Sequence, residues 1–199
     1  MTQIKEILIG TNNKGKYREI CDLLPNKLKK YSPKEFNLSS PEETGKSFEE
    51  NSLIKASYFS KKTNLICLSD DSGLEIDLLN NEPGIYSSRW SGEKNNFDLA
   101  INKVFKKMTE AQKDWEKNFN TARFICCMTI FWPNGKNYSS KGIIEGKIST
   151  KKKGKNGFGY DPIFIPDGYK QTFGEMEFKL KMSIDHRFKA FHNIKKFFI

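Results

Sequence analysis

The sequence predicts a mixed α/β fold, with an elongated central sheet flanked by helices. Three observations lead there. Short apolar runs alternate with stretches of helical periodicity in the first half. In the second half, two long runs of β-branched and aromatic residues flank a Pro133-Asn-Gly135 turn signal. No Pro/Gly/Ser-rich linker, repeat or low-complexity tract divides the 199 residues, so 1–199 reads as one domain. A chain of this length buries roughly 70% of its unfolded surface and needs no staples.

Ile4 to Gly10 is an apolar run of strand length, and Thr11-Asn-Asn-Lys-Gly15 a polar turn. Lys16 to Leu24 then sets Ile20, Leu23 and Leu24 on one helical face. A second helix is predicted from Gly45 to Thr63, with Phe48, Ser52, Ala56 and Phe59 at helical spacing, leading into a strand from Leu65 to Ser69. Asp70-Asp-Ser-Gly73 has the composition of a tight turn, and Leu74 to Leu79 alternates as a strand does. Phe97 to Met108 is predicted helical. Ala122 to Trp132 and Asn137 to Ser149 are the two long antiparallel strands. Lys151 to Gly159 is a loop rich in glycine and lysine, Ile163 to Ile165 a short strand, and Met182 to Phe198 a C-terminal helix.

Composition narrows the function classes. Apolar residues make up 37% and aromatics 13%, enough to form a core. No run approaches the ~20 apolar residues of a membrane span, and the start MTQIKEILIG lacks a signal-peptide apolar stretch, so a cytoplasmic location is expected. The four cysteines form no CxxC pair and are expected to be reduced core thiols. With only His186 and His192, six apart, there is no Cys/His zinc spacing, so a metal would be held by oxygen. The 34 Lys+Arg against 24 Asp+Glu give a net charge of +10. That charge is compatible with nucleic acid, with a small polyanion, or with a merely solubilising surface.

Four segments can carry chemistry. Thr11-Asn12-Asn13-Lys14-Gly15-Lys16 joins a strand to a helix start, where backbone N–H groups, the helix dipole and two lysines suit a phosphate; a capped, solvated helix start is the other reading. Asp70 and Asp71, followed by Ser72-Gly73, stand at a predicted strand end. If the strand continued they would face opposite sides. With Glu43 nearby, such acids could hold Mg²⁺, which takes a few carboxylates and fills its shell with water and substrate phosphates; a hydrogen-bonded surface turn is the alternative. Gly157-Phe158-Gly159-Tyr160-Asp161-Pro162 offers a ring and a carboxylate to a nucleobase, or is a hairpin corner with a core ring. Lys181 to Arg187 gathers Lys181, His186 and Arg187 at a helix start that Ser183 or Asp185 can cap.

Taken in order, these segments resemble the inosine triphosphate pyrophosphatase family. The resemblance runs from Ile7 to about Ala190. It rests on TNNKGK (11–16), EETG (42–45), FEENSLIKA (48–56), DDSGLEID (70–77), PGIYSSRWSG (83–92), GFGYDPIF (157–164) and the DHR stretch (185–187). It implies an ITPase-like α/β domain with two lobes around a nucleotide cleft, a homodimer, Mg²⁺ dependence, and hydrolysis of ITP, dITP and XTP to monophosphate and pyrophosphate.

By position, the resemblance implies substrate contacts for Thr11, Asn12, Asn13, Lys14, Gly15, Lys16, Lys55, Ser72 and Arg89. Glu43 and Asp71 would be metal ligands, with Asp70 beside them and Asp71 also the proton acceptor. Phe158, Gly159, Tyr160 and Asp161 would form the base wall, closed by Lys181, His186 and Arg187. Asp185 stands where the family usually has Ser. The rivals are a Maf-type pyrophosphatase for other nucleotides, which would lack the GFGYDP and DHR pair, and a basic nucleic-acid-binding protein. No helix-turn-helix, RNP-type or zinc-finger signature supports the latter, so neither nucleic acid nor membrane is expected as a partner.

Overall fold

The structure, a computed structural model, describes residues 4–92 and 96–198. Six strands form one mixed sheet, in the order β2-β1-β3-β4-β5-β6. They are β1 (Glu6–Ile9), β2 (Lys29–Tyr31), β3 (Cys67–Ile76), β4 (Thr121–Phe131), β5 (Asn137–Ile148) and β6 (Phe164–Pro166). The helices are α1 (Lys14–Leu23), α2 (Phe48–Thr63), α3 (Phe97–Ala111), α4 (Trp115–Asn118), α5 (Phe178–Ile184) and α6 (His186–Ile194). Strand β1 runs parallel to β2 and to β3, pairing Leu8 with Tyr31 and with Cys67, while β5 and β6 are antiparallel with Ile148 opposite Phe164. The mixed α/β class is as expected. No helix among the described residues is long and apolar enough to cross a membrane.

Two compact units share the chain, and β3, β4 and β5 each pass from one to the other. The first comprises Met1–Asp71, Cys126–Gly142 and His186–Ile199. Its main core joins Ile7, Ile9, Leu68, Met128 and Ile130 of the strands to Ile20 and Leu24 on one side of the sequence and Phe191 and Ile194 on the other. The second comprises Ser72–Ile125 and Ile143–Asp185, with a core of Leu74, Ile76, Ile101, Val104, Phe124, Phe164 and Phe173. The three rings Phe124, Phe164 and Phe173 pack together, at centroid separations of 4.7 to 6.1 Å. Burial of this kind contributes ~25 cal/mol per Å² of apolar surface, which explains why no disulfide is needed. All four cysteines are free; Cys67, Cys126 and Cys127 are buried and Cys21 is half-buried.

Several boundaries depart from expectation. The predicted turn at Thr11–Gly15 is shorter, because Asn13 caps a helix that already begins at Lys14. Helix α2 starts at Phe48 rather than Gly45, with Ser47 Oγ accepting from Glu50 N. Asp70-Asp-Ser-Gly73 is not a turn but the middle of the ten-residue strand β3, and the Leu74 to Leu79 strand ends at Ile76 in a 3₁₀ turn, Asp77–Leu79. The single C-terminal helix is two, α5 and α6, because Asp185 is extended (φ −71°, ψ 171°). Ser183 lies within α5 and donates to the Leu180 carbonyl instead of capping. Helix α3 runs on to Ala111, and β2 and α4 carry no clear sequence signal. Pro133-Asn-Gly135 does form the β4–β5 turn, with Trp132 N donating to Lys136 O at 2.9 Å.

The lysine-rich loop is pinned by backbone bonds. Lys153 N donates to Pro162 O, Thr172 Oγ1 donates to Lys153 O, and Lys152 pairs with Asp98. Gly154 sits at φ +78°, where a Cβ would lie 1.8 Å from Gly174 O, so only glycine fits there.

Candidate active site

In the first unit the site begins where β1 ends. Gly10 is packed so closely that a Cβ would lie 2.3 Å from Ser69 Oγ and 2.7 Å from Cys67 Sγ. Ser69 Oγ donates to Gly10 O, locking the start of the Thr11–Lys16 segment against β3. Asn13 Oδ1 accepts from Gly15 N at 2.9 Å and Lys16 N at 3.1 Å, while Thr11 Oγ1 accepts from Asn13 N. The cap therefore takes two of the N–H groups at the helix start. Asn12 reaches away, donating to Ser40 Oγ at 3.0 Å. Lys14 is exposed and Gly15 half-buried.

Because β3 continues through Asp70 and Asp71, the two side chains enter different clusters, as strand alternation requires. Asp71, 5% exposed, accepts from Lys55 Nζ at 3.1 Å and Asn51 Nδ2 at 3.3 Å. Lys55 also donates to Glu43 Oε1 at 2.5 Å. Helix α2 supplies both Asn51 and Lys55, one turn apart on a single face. Asn51 Oδ1 accepts from Gly45 N at 2.8 Å, which ties the 42–45 segment to the Asp71 cluster. Burial raises the Asp71 pKa above the ordinary aspartate value, against the lowering pull of Lys55 and Lys16, and Glu43 adds to the rise. Burial alone would pull Lys55 down, but Asp71, Glu43 and Asp70 outweigh it and hold the ammonium above the usual lysine value.

Asp70 is fully buried among cations. Lys16 Nζ lies 3.3 Å and Arg187 Nη2 3.1 Å from its Oδ2. Arg187 Nη1 is also 2.5 Å from Glu19 Oε2, and that pair is nearly inaccessible. Helix α6 carries Arg187 to this place because it lies against β5 at a glycine: a Cβ on Gly142 would lie 2.2 Å from His186 O. His186 is buried beside it.

The second unit holds the remaining predicted residues. Asp161 Oδ2 accepts from Phe158 N at 2.9 Å and from Lys181 Nζ at 2.6 Å, and Lys181 Nζ lies 5.2 Å from the Phe158 ring centroid. Tyr160 is buried, with its hydroxyl on Ser87 O at 2.9 Å. Gly159 and Ser72 are half-buried, and the exposed Arg89 guanidinium stacks 4.9 Å from the Tyr86 ring centroid.

Of the residues expected from the sequence, the structure brings Lys55, Glu43 and Asp71 into one cluster, Lys16, Asp70 and Arg187 into a second, and Phe158, Asp161 and Lys181 into a third; Asp70, expected beside Glu43 and Asp71, belongs to the second. The sequence did not single out Asn51 and Glu19. Asn51 stands one turn before Lys55, and Glu19 one turn after Lys16, so helical spacing from an already chosen lysine was the available signal. As for metal, Glu43 and Asp71 meet on one ammonium and offer only hard oxygens. Among the described residues no group of three or more His, Cys, Asp or Glu gathers into a cage. Two carboxylates with the rest of the shell left to water and phosphate fit a Mg²⁺-type ion.

The chain is similar to known proteins over nearly its whole length. The dITP/XTP pyrophosphatase of Agrobacterium fabrum is 41% identical, with 97% of this chain and 94% of the relative covered. That of Zymomonas mobilis is 39% identical, over 94% of this chain and 89% of the relative. Among solved structures, a HAM1 protein from Coxiella burnetii superposes with TM-score 0.85 at 35% identity, covering 96% of each chain. The Ham1 protein of Staphylococcus aureus gives 0.83 at 34%, covering 97% of each. The model of the Ham1 family matches residues 7–197, nearly the whole chain, and the chain belongs to that family.

Proposed function

We propose that this protein hydrolyses non-standard purine nucleoside triphosphates (ITP, dITP and XTP) to the monophosphate and pyrophosphate. The observation that carries the reading is the Glu43–Lys55–Asp71 cluster, with Lys55 and Asp71 buried, found in a chain whose relatives are dITP/XTP pyrophosphatases. Water attacks the α-phosphorus, its oxygen forms the new P–O bond, the bond to the β-phosphate oxygen breaks, and pyrophosphate leaves. Asp71 accepts the proton from the attacking water. Lys16, Lys55 and the positive end of helix α1 bring positive charge to the triphosphate, with Arg89 as a further contact. Stabilisation of developing charge is often the largest catalytic term.

Glu43 and Asp71 would hold Mg²⁺, which would supply further positive charge to the phosphates; Asp70, turned to the opposite side of β3 and held by Lys16 and Arg187, is left out of that ligand set. Ser72 follows Asp71 on β3. The base wall is assigned to Phe158, Gly159, Tyr160 and Asp161, with Lys181, His186 and Arg187. A cationic donor at purine position 6 favours the O6 of hypoxanthine or xanthine; the amino group of adenine would set donor against donor. Action as a homodimer in the cytoplasm, as one catalytic domain and without a nucleic-acid or membrane partner, belongs to the same reading.

The test is pyrophosphate release from ITP, dITP, XTP, GTP and ATP, with and without Mg²⁺. Release from the first three that depends on Mg²⁺ is expected. Turnover of ATP equal to that of ITP, or no release from any of them, overturns the proposal.

A further inference from the structure

Asp161 lies in the segment assigned to the base, yet its carboxylate is 2% exposed and faces its own chain. A single oxygen, Oδ2, takes both the Phe158 N–H and the Lys181 ammonium, at 2.9 and 2.6 Å. The backbone comes close to the same oxygen again: Gly157 sits at φ +73°, and a Cβ there would lie 2.0 Å from Oδ2. No other residue fits that position without moving the carboxylate. The ammonium so held stands 5.2 Å from the Phe158 ring centroid and 5.5 Å from that of the core ring Phe173. Asp161 O accepts from Gly174 N, and Tyr160 Oη donates to Ser87 O, so the chain following the ring is anchored at both residues.

We infer that Asp161 is a positioning residue: its carboxylate touches no nucleotide, and it sets the Phe158 ring and the Lys181 ammonium as one rigid aromatic–cation wall. This rests on the proposed nucleotide reading of the site. The two roles differ in what they discriminate. A carboxylate that contacted the base would accept from its N–H groups and weigh differently on hypoxanthine, xanthine and guanine. A carboxylate that only sets the wall acts on every purine alike. One acceptor serving a backbone amide and a side-chain ammonium also couples the roles of Asp161 and Lys181.

The experiment compares wild type with Asp161→Asn, Lys181→Met and the double variant. It uses steady-state kinetics on ITP, dITP, XTP and GTP, and calorimetric binding of the monophosphate IMP. Asparagine keeps an acceptor for Phe158 N–H but loses the charge that holds Lys181. The expected result is a rise in KM of about 10-fold, by one common factor for all four nucleotides, with kcat changed by less than about 3-fold. IMP binding should weaken by a similar factor, and the double variant should be no worse than Lys181→Met alone. Factors that differ between bases by 10-fold or more, strictly additive losses, or an unchanged KM would overturn the inference. If Asp161→Asn does not fold, Gly157→Ala displaces the same oxygen without changing charge, and the same common factor is required of it. Absence of pyrophosphate release by the wild type would count against the proposed function, whereas the ratio of variant to wild type, in turnover or IMP binding, judges the role of Asp161.

Discussion

The ammonium of Lys55 stands 3.1 Å from Asp71 Oδ1, and the pair is almost wholly buried. Since Lys55 also holds Glu43, one cation balances two carboxylates brought together from different parts of the chain. Removing it takes a cation from the buried Asp71 and the half-buried Glu43. Lys55→Met should destabilise the protein by about 3–5 kcal/mol at neutral pH, the usual range for breaking a buried pair. Urea denaturation would measure it. The loss should shrink as the medium is acidified and the carboxylates take up protons, and pyrophosphate release should fall at least about 100-fold.

Asp71 predicts a pH dependence of definite sign. Its folded pKa is raised, chiefly by burial, so the folded protein holds this proton more tightly than the unfolded chain does. The corresponding stabilisation is fully present below the unfolded value of about 3.9 and is lost as pH rises through the raised folded value. Asp71→Asn removes that dependence. The stability of the variant relative to wild type, followed by denaturant titration without added metal, should therefore improve with rising pH across that window. A difference that stays flat would count against a raised Asp71 pKa.

The course of β3 shows what could be read in advance and what could not. Asp-Asp-Ser-Gly has turn composition, and local chemistry alone favours a turn. Pairing inside a six-stranded sheet, with nearly every residue of β3 buried, overrides that preference. The same continuity sends Asp70 and Asp71 to opposite clusters, a consequence that period-2 alternation already contained. Lys16 and Glu43 were legible from their places near helix starts, whereas Asp71 stands mid-strand and Lys55 mid-helix, and Lys55 came only with the family resemblance. The partnership of Arg187 with Glu19 was not legible, since 168 positions separate them and only the packing of α6 on β5 joins the two. The break at Asp185 was only half legible: Asp185 was a candidate cap, but Lys181 to Phe198 carries neither proline nor glycine to show that a helix ends before it.

Asn51, one turn before Lys55 on α2, occupies a joint. It is fully buried, donates to Asp71 and accepts from Gly45 N. Asn51→Leu, close in volume, leaves the amide and one carboxylate oxygen each short of a partner. A loss of about 1–3 kcal/mol is expected. Activity should fall further than stability accounts for, because the 42–45 segment that carries Glu43 is released from Asp71. Asn51→Asp should be worse at neutral pH than at pH 5, as it sets a second carboxylate against the first.

Arg187 gives the sharpest test of the buried cluster. Its two terminal nitrogens meet different acids, Glu19 at 2.5 Å and Asp70 at 3.1 Å, and the side chain is among the largest fully buried ones. A planar guanidinium reaches both acids at once, whereas an ammonium on a shorter reach has no such fork. Arg187→Lys keeps the charge and is nonetheless expected to cost about 3 kcal/mol, because one of two buried carboxylates loses its donor. Glu19→Gln in the same background should recover part of that loss by removing the charge left bare, which a double-mutant cycle on denaturant midpoints would reveal as strong non-additivity. If the two changes simply add, the fork does not couple Glu19 to Asp70.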